Sequence, residues 1–196
     1  MSHNILLVTW DTSSKAYEAY SQVKNQITGN INQLAVIERQ DDGKISINDG
    51  YSYTAGDNTV GGSLIGTLIG ILGGPLGMLL GFSTGALIGS LADLDDADTD
   101  EAVLAEISKY LPIGSTGLII DIEEQDENAT DTLLRNLGAT VYRWNYEVVE
   151  AEVEASIEAW EHANKEANKV LKEQRKEENK QKRQQKWADF KAKFKK

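Results

Sequence analysis

The residues with the best claim to site chemistry are acidic. Asp96, Asp98 and Asp100 alternate in Asp96-Ala97-Asp98-Thr99-Asp100. That is the opening rhythm of a calcium loop, in which carboxylates at the first, third and fifth positions supply oxygen ligands. The rest of such a loop is missing: Glu101 stands where the sharp turn needs glycine, and Ile107 stands where a bidentate glutamate would close the site. The run reads instead as an acidic flank to the helix that follows, favoured by the positive end of the helix dipole. His3 and His162 are the only histidines, and neither lies near a second metal ligand at a usual spacing. There are no cysteines, which excludes disulfides, thiolate metal sites and cysteine nucleophiles and fits a reducing compartment. No nucleophile elbow, Walker A loop or dinucleotide fingerprint occurs. The expectation is a protein that is not an enzyme, with no cofactor, no metal and no small-molecule substrate.

The chemistry that remains is that of association. Trp187, Phe190 and Phe194 are spaced three and four apart, so they share one helical face. Lys186, Lys191, Lys193, Lys195 and Lys196 surround them. Aromatics ringed by lysines read as an interfacial anchor on anionic lipid, and packing within the protein or between subunits is the alternative. RNA uses similar chemistry, but no RNA-binding signature accompanies the tail, and no nucleic acid is expected. Charge is divided to match. Residues 1–164 hold 7 Lys/Arg against 26 Asp/Glu, whereas residues 165–196 hold 13 against 5. An acidic body with a basic tail suggests a tail that meets a lipid headgroup, RNA or the acidic body of a neighbouring subunit.

The strongest pattern is glycine at every fourth position. Gly62, Gly66, Gly70 and Gly74 make one run, and Gly77, Gly81, Gly85 and Gly89 make another, with Gly73 and Pro75 at the break between them. Positions four apart lie on one face of a helix, so each run is a groove without side chains along which two backbones approach closely. Pro75 breaks the helix, and the expected structure is an antiparallel glycine-zipper hairpin. Each helix-interior glycine costs about 0.5–1 kcal/mol relative to alanine, so close packing must offset the penalty. Leu64, Leu68, Leu72, Leu79, Phe82 and Leu87 are expected on the outside, facing lipid or another subunit. The uncharged stretch from Asn58 to Ala92 is 35 residues long. As one helix it runs about 52 Å, too long for a hydrocarbon core of about 30 Å. Split at Pro75, each arm runs about 22 Å, which suits a tilted pair, a wedge in one leaflet, or a shared apolar layer between subunits. Asp57 on one side and Asp93, Asp95, Asp96, Asp98 and Asp100 on the other form an acidic collar where cytoplasmic membrane-proximal segments favour lysine and arginine.

The elements around these features follow from periodicity and turn residues. Ile5–Trp10 reads as a buried strand. A helix over Ser13–Thr28 presents Ala16, Tyr20, Val23 and Ile27 on one face. Leu34–Arg39 and Lys44–Asn48 read as a hairpin around Gln40-Asp41-Asp42-Gly43. After the insert come a helix over Asp98–Leu111, a strand over Thr116–Ile122, a helix over Asn128–Leu137 and a strand over Ala139–Trp144. The fold class expected is α+β, a ferredoxin-like sandwich of residues 1–57 and 93–146 with an extra α-β unit. Residues 58–92 form the inserted hairpin and residues 147–196 a long charged helix. In that helix Val149, Val153, Ile157, Trp160, Asn164, Ala167 and Leu171 recur at mostly alternating intervals of four and three, a coiled-coil seam with Asn164 as its polar member. Packing of this face on the helix's own sheet is the competing reading.

Taken together, the N-terminal strand–helix–strand, the turn Asp41-Asp42-Gly43-Lys44, the glycine hairpin with its Gly-Pro break, the acidic segment and Leu111-Pro112-Ile113-Gly114-Ser115-Thr116-Gly117-Leu118 carry a resemblance. Over residues 4–150 the chain resembles a bacterial family of predicted membrane proteins catalogued as domain of unknown function 1269. The resemblance implies membrane association and supplies no catalytic residues. The basic C-terminal helix looks like an addition to it. The function expected is that of a self-assembling, membrane-associated scaffold, a homo-oligomer at the inner, cytoplasmic face of the cell membrane. A pore or permeability factor is the alternative.

Overall fold

A computed structural model describes residues 1–26, 30–52, 63–74 and 102–193. The architecture is α+β, with one antiparallel sheet of five strands in the order β3-β2-β4-β1-β5. The strands are β1 (Ser2–Thr9), β2 (Asn30–Arg39), β3 (Ile45–Ser52), β4 (Thr116–Glu124) and β5 (Thr140–Asn145). The helices are α1 (Ser13–Gln26), α2 (Leu64–Gly73), α3 (Val103–Tyr110), α4 (Glu127–Asn136) and α5 (Tyr146–Lys193). The centre of the sheet is apolar on both faces, and alternation sorts the side chains into two layers. Leu6, Val8, Leu34, Val36, Leu118, Ile120 and Ile122 pack in one cluster with Ala16, Ala19, Tyr20 and Val23 of α1 and Leu134 of α4. Ile5, Leu7, Ala35, Ile37 and Ile119 point the other way and are fully buried. The second face meets α3 and the first turns of α5. Tyr142 and Trp144, paired with Leu7 and Ile5, engage α3, and His3 stacks on Tyr146.

Among the described residues three glycines at positive φ mark turns, where a side chain would be strained. Gly43 at φ +83° closes the β2–β3 hairpin, with Gln40 and Lys44 joined across it and Lys44 N donating to Asp42 Oδ1. Gly114 at φ +77° turns the Leu111–Ser115 segment back onto Arg39, whose backbone exchanges hydrogen bonds with Gly114 and Ser115. Gly138 at φ +74° ends α4.

β1, β2, β3 and β4 each run further at one end than periodicity suggests, β1 from Ser2 and β4 to Glu124. β2 begins at Asn30 and β3 ends at Ser52, because ladder hydrogen bonds to a neighbour carry residues of low strand propensity such as Asp49 and Gly50. α3 begins at Val103, where the backbone N–H groups of Val103 and Leu104 both donate to the Glu152 carboxylate of α5. That carboxylate caps an end that has no cap in its own sequence.

The chain divides into two units, Met1–Ser156 and Ile157–Lys196. The first turns of α5 therefore belong to the α+β unit. Val149 and Val153, read either as the start of a coiled-coil seam or as packing on the helix's own sheet, are 0% and 3% exposed within it. They fill the unit's own interior, because a helix packed on a sheet and a coiled coil present the same apolar spacing.

Candidate functional site

Two polar clusters occupy the end of the sheet where β1 begins. On one face His3 Nε2 lies 2.7 Å from Asp121 Oδ1, and Asn32 Nδ2 donates to the same oxygen at 3.2 Å. Asn32 is the extra residue of a bulge between β2 and β4, which turns it toward Asp121. The His3 ring stacks on Tyr146 at 3.8 Å. Burial raises the Tyr146 phenol above its ordinary pKa, and the charges of Glu150 and Asp121 add to that. On the other face Arg143 Nε lies 2.9 Å from Glu124 and Nη2 lies 2.8 Å from Asp131. Burial alone would lower the Arg143 guanidinium, but the paired carboxylates of Asp131 and Glu124 outweigh it and hold the group above its usual value. Asn4 Nδ2 donates to both Glu124 and Glu127 at 3.1 Å.

These clusters are chemically capable of holding charge in place. A histidine–carboxylate pair can relay a proton, but no hydroxyl or thiol nucleophile is joined to this one by the hydrogen bonds of the described residues. Both clusters tie β1 to β4, and they tie the sheet to α4 and α5. The sequence carried a signal for them: Asp121 interrupts the apolar run Leu118-Ile119-Ile120-Asp121-Ile122, and a buried carboxylate needs partners. Among the described residues no group of three or more His, Cys, Asp or Glu is arranged to hold a metal ion. Asp96, Asp98, Asp100 and Glu101 lie outside them.

Of the glycine-repeat segment, only Ser63–Gly74 is described. Ser63 caps α2, its hydroxyl accepting from Gly66 N. Ile65, Leu68, Ile69, Ile71 and Leu72 of α2 are buried, and the helix packs against β3 and α3. Leu68 and Leu72, expected to face lipid or another subunit, are thus 0% and 6% exposed within the chain, while Leu64 is half-buried. The glycines are not equivalent. Gly66 is half-buried and Gly70 exposed, and a Cβ at Gly70 would meet nothing within 4 Å. A Cβ at Gly73 would stand 2.1 Å from the Ile45 carbonyl oxygen, and one at Gly74 would stand 2.4 Å from the carbonyl oxygen of Gly70. Gly73 is therefore where the end of α2 lies against the backbone of β3. Gly62, Pro75, Gly77, Gly81, Gly85, Gly89, Leu79, Phe82 and Leu87 lie outside the described residues.

In α5, Ile157 and Asn164 are half-buried. Trp160 is 39% exposed, Leu171 50% and Trp187 61%, with Ala167 also exposed. Phe190 and Lys191 fall on its last turns. Their side chains, and Phe194 and Lys195 altogether, lie outside the described residues. No described helix is long and apolar enough to cross a membrane.

An α+β unit with a glycine-repeat helix seated on its edge strand, continued by a long charged helix, is the class of protein these features define. The family described as Protein of unknown function (DUF1269) matches residues 59–159, and the chain belongs to that family. The match runs from the glycine repeat through α3, β4, α4 and β5 into α5, and β1, α1, β2 and β3 precede it. No curated protein and no solved structure matches the chain.

Proposed function

We propose that this protein is a non-enzymatic scaffold that assembles with copies of itself at the inner, cytoplasmic face of the cell membrane. The observation that carries the reading is the second unit. Beyond Ser156, α5 carries Trp160, Val170 and Leu171 at 39% to 50% exposure. Covering a large apolar side chain contributes about 1.5–3 kcal/mol, and a partner is the means of covering these. The glycine face of α2 supports a second contact. Its apolar side is committed to the domain, while Gly70 is open, which suits a zipper hairpin that mediates oligomerisation. The lysine-rich aromatic end of the chain supplies the contact with anionic lipid. We assign the domain to the ferredoxin-like sandwiches. Strands β2-β4-β1-β5, with α1 joining β1 to β2 and α4 joining β4 to β5, follow that topology, and β3 is an added edge.

The test is the mass of the full chain in detergent-free buffer, with flotation on phosphatidylserine-containing and neutral vesicles. Oligomers that float only with the anionic vesicles are expected. A clean monomer refutes the assembly, and equal failure to float on both refutes the membrane contact. Gly70→Leu should lower the oligomer mass without unfolding the chain, since the side chain enters open space. Stepwise conductance in planar bilayers would favour a pore instead.

A further inference from the structure

The charges of α5 form a gradient along the helix. From Tyr146 to Ala163 there are six Glu and no Lys or Arg; from Asn179 to Lys193 there are six Lys or Arg and one Asp. The stretch between, Asn164 to Glu178, has five basic and four acidic residues. Every side chain from Lys165 to Trp187 is exposed.

Two ordinary causes of such a gradient are too short in range. The helix dipole acts within the first and last turns, which reaches Glu147 and leaves out Glu158 and Glu161. The ion pairs made along the helix are local: Lys165–Glu161 at 3.5 Å, Lys169–Glu166 at 3.9 Å and Lys180–Glu177 at 4.0 Å. Glu158, Lys182, Arg183 and Lys186 form no ion pair among the described residues.

We propose that α5 pairs with α5 of a second copy of this chain in antiparallel orientation, the acidic first part of each helix lying along the basic last part of the other. Laid parallel, the two helices would set glutamates against glutamates and lysines against lysines. Reversed, the acidic segment of each helix meets the basic segment of the other, the mixed stretch Asn164 to Glu178 meets itself, and the contact has the self-complementarity of a two-fold axis. The axis falls midway between the acidic and basic segments, at Val170 and Leu171. Both are 50% exposed, the apolar pair that such a crossing would cover. Val149 and Val153 are buried in the α+β unit. The overlap therefore runs from about Ile157 to about Gln185, and the lysine-rich end beyond it is left to the lipid contact.

The inference rests on the self-assembly proposed above, and the experiment separates the two. The chain has no cysteine, so introduced thiols report without background. Val170→Cys, His162→Cys and Asn179→Cys are made singly in the full chain, all at exposed positions, and treated with a short bis-maleimide. Val170→Cys should cross-link to itself. His162→Cys and Asn179→Cys should each fail alone, because antiparallel partners hold identical residues about 25 Å apart at 1.5 Å per residue. Co-expressed with different tags, those two should cross-link to each other, with a yield that falls at high salt. Self-cross-linking of all three variants would show a parallel pair and overturn the proposal. Oligomers by light scattering with no cross-link in any variant would also overturn it, while leaving self-assembly standing through the hairpin. A monomeric parent chain would overturn both.

Discussion

Gly73→Ala and Gly70→Ala are the same chemical change three residues apart, and the structure separates them. At Gly73 the new Cβ would stand 2.1 Å from the Ile45 carbonyl oxygen and 3.1 Å from Ile45 N and C. Carbon–oxygen contacts between neighbouring backbones run at about 3.3–3.6 Å, so α2 or β3 must move by about 1 Å. The obstacle is backbone at the start of a paired strand and has no rotamer to change. Overpacking of this kind costs about 1–3 kcal/mol, and alanine's better helix propensity offsets at most about 1 kcal/mol of it. A Cβ at Gly70 would meet no atom within 4 Å beyond its chain neighbours and its own helix backbone, so only the propensity gain of about 0.5–1 kcal/mol remains. The propensity gain is common to both, so the two variants should differ by the overpacking cost of about 1–3 kcal/mol, Gly73→Ala below the parent and Gly70→Ala above it. For a unit of this size that corresponds to a Tm gap of about 2–12 °C, measurable by calorimetry of the full chain. Equal Tm values would refute the close approach of α2 to β3. A Gly70→Ala variant less stable than the parent would refute the open glycine face.

The buried ion cluster makes a second comparison. Arg143→Met leaves Glu124, whose side chain is 3% exposed, without its cation; it should cost about 3–5 kcal/mol in urea unfolding. Lys165→Met, which breaks the exposed pair with Glu161, should cost no more than about 1 kcal/mol. Glu127 tests pH dependence. Hydrogen bonds from Ser2 and Asn4 hold its folded pKa below the usual carboxylate range. Its contribution is fully present above the unfolded value of about 4.3 and is lost as pH falls through the lower folded value. Glu127→Gln should flatten the stability profile below that pH and leave its shape near neutrality unchanged, and a parallel profile throughout would contradict the hydrogen bonds.

Much of the secondary structure was legible because local rules suffice for it. Asp42-Gly43 turns the β2–β3 hairpin since only glycine adopts φ +83° without strain. Gly138 ends α4 for the same reason. The short apolar run at Ile5–Trp10 read as a buried strand, and Ile5, Leu6, Leu7 and Val8 are fully buried. The polar clusters were legible only in hint. Asp121 stands out in an apolar run, but its partners come from β1, a bulge in β2 and the start of α5, and no spacing announces residues so far apart. Gly117 is similar. It reads as one more glycine in Leu111–Leu118, yet a Cβ there would lie 2.8 Å from the Val8 carbonyl oxygen of the neighbouring strand.

The sequence by itself determined the α+β class, the hairpin turn, the acidic body with its basic tail, and the family to which the chain belongs. Each of these depends on residue type and on neighbours a few positions away. The tertiary structure decided which apolar faces are already occupied. Val149 and Val153 read equally as a coiled-coil seam or as a face packed on the helix's own sheet and are buried in the α+β unit, and Leu68 and Leu72 read as an outer surface and are buried within the chain. A helical stripe records that a face is apolar and not what covers it, because burial against one's own sheet and burial against a partner remove the same surface from water.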